Sequence, residues 1–401
     1  MLVNCYILLC NFREWIYNMD TFYFDNAATT KVKDEVLKEM IPFFNIEYGN
    51  PSSIYSIGRK AKFAIEEARQ KVADLIGADK SEIYFTSGGS ESDNTAIKTI
   101  AYTKKDIGNH IITSKIEHPA VLDSCKMLEK HGFEITYLNV DEEGSVDLEE
   151  LKNKINEKTI LISIMLANNE IGTIQEIKKI SQIAHKNGII LHTDAVQGAG
   201  NIKIDVKEMG IDMLSISSHK IYGPKGTGAI YIKKGIEFEK FINGGHQEKN
   251  KRAGTENVAG IVGFGKACEL SQKNLEKHIT YLEELRNYYI YQVKNKIDKI
   301  KINGSMENRL PGNANISFEG VSGADLVLEL DCKGICVSSG SACSSGNDKP
   351  SHVLTAIGLE SSMAKGALRV SFGEFNNKAQ VDYLIKCLCE AIHKLRMEGC
   401  D

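Results

Sequence analysis

The chain has 401 residues, a length that suits two domains or one large domain with an appendage. At 42 % hydrophobic and 25 % charged, with a formal net charge of −4, it is ordinary globular material able to bury a sizeable core. Charges of both signs are interspersed, so no basic block argues for nucleic acid and no acidic tail argues for an adaptor.

The apolar run near the start, inside "MLVNCYILLCNFREWIYNM", is shorter than the about 20 residues of a membrane span. It also lacks the basic start and small-residue cleavage site of a secretory signal. Residues 1–18 are therefore expected to be a disordered extension or the product of an upstream start, with no membrane association. Structured sequence is expected from Met19 onward, with residues 19–35 joining a small C-terminal domain. From about residue 60 to 270, apolar β-rich runs alternate with helical periodicity. "SEIYFTSGG" reads as a strand and turn, followed by a helix over "SESDNTAIKTIAYTKK". "NHIITSKIEH" is a strand, and "PAVLDSCKMLEKHG" a helix with Pro119 at its first position and Gly132 as its stop. "FEITYLNV", "TILISIMLANNE", "GIILHTDAV", "DMLSISS" and "TGAIYI" complete the strands, with helices over "DLEELKNKI" and "IQEIKKISQIAHKNG" between them. Such alternation predicts an α/β fold with a mostly parallel sheet covered on both faces, spanning residues 36–275. A long charged helix, "NLEKHITYLEELRNYYIYQVKNKI", then leads into a smaller α+β domain over residues 276–401.

In open α/β sheets ligands bind beyond the carboxyl ends of the strands. The polar residues that end successive apolar runs are Ser87 to Ser90, His118, Asn168 to Glu170, Asp194 with Gln197, and Ser217 to Lys220. "TSGGSES" lets backbone N–H groups and a helix N-terminus face an anion, though an ordinary capped helix reads the same way. Asp194 ends a buried strand, where a carboxylate needs a cation, a cap or a salt bridge. Lys220, in "SSHKIYGPKG", is packed among small residues; lost hydration lowers its pKa and frees a neutral amine for Schiff-base chemistry. A phosphate cradle, a carboxylate for a pyridinium nitrogen and a reactive amine are together the requirements of pyridoxal phosphate.

The ten cysteines are too dilute and irregular for a disulfide framework, which points to a reducing, cytoplasmic setting. Cys332, Cys336 and Cys343 have no matching Cys or His pair for zinc, so no metal is expected. Cys343 stands in "VSSGSACSSGNDKPS", a run of serine and glycine with few apolar anchors, where a packing cysteine is out of place.

The motifs "YFDNAATT", "TSGGSESDN", "EHPAVLD", "ANNEIG", "HTDAVQ", "SSHKIYGPKG", "RAGTEN", "SSGSACSSG" and "ALRVSFG", in that order over about residues 22–395, resemble the cysteine desulfurases of the NifS/IscS type. These belong among the class V aminotransferase-like, fold-type I pyridoxal phosphate enzymes. The resemblance implies pyridoxal 5'-phosphate as cofactor and Lys220 as its Schiff-base lysine. It implies Asp194 at the pyridine nitrogen, Gln197 at the phenolic oxygen and His118 stacked on the ring. Gly89, Ser90, Ser217 and His219 would hold the phosphate, with Thr255 reaching in from the second subunit of a homodimer. Asn169 and Arg369 would take the carboxylate of L-cysteine, and Cys343 would accept its sulfur as a persulfide for a sulfur-accepting protein such as an iron–sulfur scaffold. Ser90 replaces the more usual threonine and keeps the hydroxyl. His118 precedes a helix-starting proline, where Ser or Asp is the usual cap, so it is expected to serve a purpose other than capping. An aminotransferase or selenocysteine lyase on the same cofactor, and a sulfur-trafficking protein without chemistry, are the alternative readings.

Overall fold

The computed structural model describes residues 21–340 and 350–398. In chain order its strands are β1 (Phe22–Tyr23), β2 (Ile83–Thr86), β3 (His110–Ser114), β4 (Glu134–Leu138), β5 (Thr159–Ser163), β6 (Ile190–Asp194), β7 (Met213–Ser217), β8 (Gly228–Ile232), β9 (Ile300–Ile302), β10 (Asn313–Phe318), β11 (Ile335–Cys336) and β12 (Ala367–Ser371). A seven-stranded sheet has the order β2-β8-β7-β6-β5-β3-β4. Only β8 opposes its neighbours; the other pairings in this sheet are parallel.

Alternate residues of the central strands feed different apolar clusters. Ile112, Ile162 and Leu214 join one, while Ile111, Leu161 and Met213 join another. Successive Cβ atoms point to opposite faces of a strand, so both faces of this sheet are covered. That is why β5 is buried at every position, as the near-continuous apolar reading expects.

The C-terminal part builds a separate core around the three-stranded sheet β12-β10-β9 and the helix Lys378–Glu398. The N-terminal segment belongs to it, because β1 pairs with β11 and Phe24 packs among Ile316, Leu368 and Val370. One helix, Val258–Lys296, joins both cores. Its Ile261, Phe264 and Cys268 pack in the sheet core, and its Leu282, Tyr289 and Val293 in the C-terminal core. The sequence reading begins this helix near residue 274 and places a boundary at 275, yet the helix starts at Val258 and passes that position unbroken. The early stretch hides because Gly260, Gly263 and Gly265 lower helix propensity. Packing overrides this: a Cβ on Gly265 would stand 2.6 Å from Ala68 Cα, so glycine lets this helix approach the helix Ser56–Ile76.

The turn that precedes "RAGTEN" is fixed by a buried ion pair. Glu248, Lys249 and Asn250 have left-handed backbone, with φ of 46°, 55° and 65°. Arg69 Nη1 and Nη2 meet Glu248 Oε2 and Oε1 at 2.6 and 2.8 Å, and Phe85 N donates to Oε2 at 2.8 Å. Removing one member of such a pair strands the other charge without water. Glu248→Ala is expected to lower the unfolding free energy by about 3–5 kcal/mol in urea titration. Adding Arg69→Met should recover part of that loss, giving a double variant less damaged than the sum of the singles.

Candidate active site

The carboxyl ends of β2, β3, β5, β6 and β7 open onto a cavity of about 290 Å³. Every expected site residue lines it except Thr255, which is exposed, and Cys343, which lies outside the described residues. After β2 the chain turns through Gly88 into the helix Gly89–Thr103, presenting Gly89 and Ser90 to the cavity. A Cβ on Gly89 would stand 2.6 Å from Val196 Cγ2, so a side chain there would force Val196 to shift. Glu91 in the first helical turn accepts from Ser87 N at 2.8 Å and receives Arg252 at 2.9 and 3.1 Å. The anion-facing turn is thereby tied to the "RAGTEN" loop.

His118 does cap its helix, contrary to expectation: its Nδ1 accepts from Ala120 N at 3.1 Å. A backbone N–H can be received only by an unprotonated nitrogen, so the neutral ring carries its proton on Nε2. Burial lowers the His118 pKa, with the Asp194 charge opposing that and Lys220 adding to it. Capping and lining the cavity are thus combined in one side chain, which Ser or Asp is too short to do.

Asp194 ends β6, and its Oδ1 accepts from Val196 N at 2.9 Å. Burial raises its carboxyl above the usual range, opposed by His118 and Lys220. A cation brought beside it would restore the ionised form. Lys220 follows β7 in a short 3₁₀ turn, Ser218–Lys220. Its Nζ donates to the carbonyls of Ala27 and Ala28, the latter at 2.7 Å. Gln197 Nε2 also donates to Ala27 O at 2.9 Å, and His219 Nδ1 lies 3.1 Å from Thr29 Oγ1. "DNAATT" is therefore part of the site wall. The sequence reading quoted it only as a motif and assigned it no role.

Arg369 reaches the cavity from β12 and is almost wholly buried. Its Nη2 pairs with Asp25 at 2.7 Å, Nη1 donates to Asn169 O at 3.1 Å, and Nε is buried with no partner. This buried pairing with Asp25 holds the guanidinium at the cavity. Ser338 exchanges backbone hydrogen bonds with Arg369, while Ser351 Oγ donates to Glu170 Oε2 at 2.6 Å and His352 Nε2 to Glu117 O at 3.0 Å. Both flanks of the stretch containing Cys343 are consequently fastened at the cavity.

Asp93, Glu117 and His352 also line the cavity and escaped sequence reasoning, while Glu170, named only as a strand-end residue, also lines it. The only available signal was adjacency, Glu117 standing beside His118 and Asp93 in "SESDN". Glu117 Oε1 accepts from Ser114 Oγ at 2.6 Å and from Met165 N at 3.0 Å; its Oε2 is buried without a partner. Burial pushes its carboxyl from the usual 4.5 to about 8. The folded protein therefore holds this proton more tightly than the unfolded chain. Its contribution is complete below the unfolded pKa and is lost as pH rises from about 4.5 through about 8. Glu117→Gln keeps the acceptor and removes the titration. The wild-type melting temperature should fall relative to the variant across that window, and equal slopes would show that Glu117 does not titrate there.

The Aminotransferase class-V family profile matches residues 22–384. The chain is 52 % identical over 376 residues to "Cysteine desulfurase IscS" of Clostridium botulinum, covering 93 % of this chain and 95 % of that one. A solved structure described as a NifS-like protein superposes with a TM-score of 0.89 at 40 % identity, covering 94 % of this chain and all of that one. A structure described as SspA in complex with cysteine gives 0.79 at 38 % identity, covering 89 % and 100 %. The fold is that of the NifS-like, fold-type I enzymes, with a mostly parallel sheet and a C-terminal α+β part. The chain belongs to the class-V aminotransferase family and, within it, to the cysteine desulfurases.

Proposed function

We propose that the protein is a pyridoxal 5'-phosphate-dependent cysteine desulfurase that converts L-cysteine to L-alanine and takes the sulfur onto Cys343. The observation that carries this reading is the convergence on one cavity of Lys220, Asp194 and Arg369 with both flanks of the Cys343 stretch. The residues suit the cofactor: a buried carboxyl in want of a cation, a turn in which a Cβ on Gly89 would crowd Val196, and an amine that donates to the carbonyls of Ala27 and Ala28. Gly89, Ser90, Ser217 and His219 would hold the phosphate, Asp194 the ring nitrogen and Gln197 the phenolic oxygen. When bound, this cofactor supplies electron withdrawal at the substrate Cα.

The chain's own residues do the rest. Lys220 would hold the cofactor's aldehyde carbon and would move a proton at the substrate Cα. His118 holds a proton at Nε2 in the cavity, available for donation. Arg369 and Asn169 orient the substrate carboxylate, the guanidinium fork favouring two-point contact. The Cys343 thiolate attacks the substrate sulfur; the S–S bond forms as the C–S bond breaks, its electron pair returning to carbon, which is then protonated to alanine. The bound cysteine of the SspA structure supports the substrate. The persulfide then passes to a sulfur-accepting protein, and the likeness to IscS supports an iron–sulfur scaffold. A reducing cytoplasm suits this thiol chemistry, and the described cysteines carry free thiols.

A homodimer completes the reading. Thr255 is exposed and does not line its own cavity, in keeping with a residue that serves a second copy. Large apolar side chains stand exposed between residues 37 and 63, among them Phe44 at 66 %, Ile54 at 88 % and Phe63 at 64 %. Apolar exposure concentrated in one stretch of chain supports an interaction surface there. Ile54→Asp with Phe63→Asp is expected to give a monomer by sedimentation and to loosen cofactor at the same time. A monomer that keeps cofactor at full affinity would remove Thr255 from the site.

Two variants test the chemistry. Lys220→Ala should lose the visible absorbance of the lysine-bound cofactor. Cys343→Ser should keep it and release alanine at least about 1,000-fold more slowly, roughly 4 kcal/mol of barrier. In the wild type, one extra sulfur mass should appear on the Cys343 peptide and leave with reductant. Finding that mass on Cys332, Cys336 or Cys125 instead would overturn the assignment.

A further inference from the structure

Behind Asp194 lies a second layer of buried polar groups with no part in the chemistry above. His192, two residues earlier on β6, is fully buried, with Nδ1 at 2.8 Å from Ser163 Oγ and Nε2 at 3.0 Å from Ser215 Oγ. Ser215 also stands beside Asp93 and lowers its proton affinity; Asp93 projects from the helix Gly89–Thr103 and lines the same cavity as Asp194. Asp93 is itself buried, and its Oδ1 has no hydrogen-bond partner, lying 3.7 Å from His192 Nε2.

One assignment of donors satisfies these contacts. Ser215 donates to the Asp93 carboxyl, so its oxygen accepts the proton of His192 Nε2–H. His192 Nδ1 then accepts from Ser163. Burial pushes the His192 pKa down to about 3, so the ring is neutral and offers Asp93 no charge. The other titratable groups facing this corner are Asp194 on β6, Glu117 after β3, His118, and Lys220 after β7. Lys220 and His118 act on Asp194, whereas the named influences on Asp93 besides Ser215 are burial and the negative charges of Asp194 and Glu117. Two carboxyls in a dry site do not both ionise, and the one that keeps its proton is the one without a cation.

We propose that Asp93 is a positioning residue held as the neutral acid, so that Asp194 is the single negative charge beneath the cofactor's ring nitrogen. Ser163, His192 and Ser215 fix its orientation, and its neutrality leaves the ring nitrogen facing one full charge. The assignment rests on reading the cavity as the pyridoxal phosphate site.

Asp93→Asn preserves size, neutrality and an oxygen to receive Ser215, while Asp93→Ala leaves the Ser215 hydroxyl unpaired. In the holoenzyme, Asn should keep the cofactor Kd within about twofold and leave the pH midpoint of the visible absorbance in place. Ala should weaken binding by about tenfold, the ordinary loss for a buried hydrogen bond. A midpoint displaced by about one unit in Asn, as removal of a nearby charge produces, would overturn the proposal. Infrared difference spectra of the cofactor-free protein, wild type minus Asp93→Asn at neutral pH, give a reading independent of the cofactor. A lost carboxylic-acid band supports the neutral acid, and a lost carboxylate band refutes it. A wild type that takes up no pyridoxal phosphate would instead count against the proposed function, with the infrared result still deciding Asp93.

Discussion

The site depends on the hold that the carbonyls of Ala27 and Ala28 have on Lys220. This contact joins the two cores of the molecule, because the segment bearing those carbonyls is anchored elsewhere. Its β1 pairs with β11 and its Phe24 is buried in the C-terminal core, while Thr30 N donates to His219 O at 2.9 Å across the sheet edge. A lysine amine in a half-buried site needs acceptors, and the two backbone carbonyls help to orient it. Moving either core relative to the other would move these carbonyls against Lys220, so the geometry of the pocket is a property of the whole chain.

A second constraint is the desolvation of carboxyl groups. Asp93, Glu117, Glu170 and Asp194 all line one cavity and all are buried. Each is managed differently. Glu170 receives Ser351, Glu117 receives Ser114 and a backbone N–H, and Asp194 receives Val196 N and the field of Lys220 and His118. Burial raises the proton affinities of Asp93, Glu117 and Asp194, as is usual where proton movements are organised. The same residues also do structural work: Glu117 and Glu170 hold the helix His352–Ala356, which follows the stretch containing Cys343.

The pieces of the family's chemistry were legible in the sequence, since they lie in local, contiguous motifs at strand ends. The alternation of β-rich and helical runs led to the covered parallel sheet, and the strand-end rule led to Lys220, Asp194, His118 and Ser217. These features are set by backbone periodicity and by a few residues at fixed offsets, both of which survive in one dimension. A role for Thr255 at a second subunit came only through resemblance, because nothing local distinguishes it from any polar loop residue.

Tertiary structure decided what depends on residues far apart in the chain. Asp25 and Arg369 meet across 344 positions to aim the guanidinium, and the Ala27 carbonyl lies 193 positions from Lys220. Asp93, in the first half of an ordinary-looking helix, becomes significant only once β6 and β7 place His192 and Ser215 beside it. The helix Val258–Lys296 likewise escaped its true start because its glycines read as weak helix formers until a neighbouring helix packs against them. Sequence pattern records what a segment prefers locally; burial, charge pairing and hydrogen-bond direction are set by which segments the fold brings into contact.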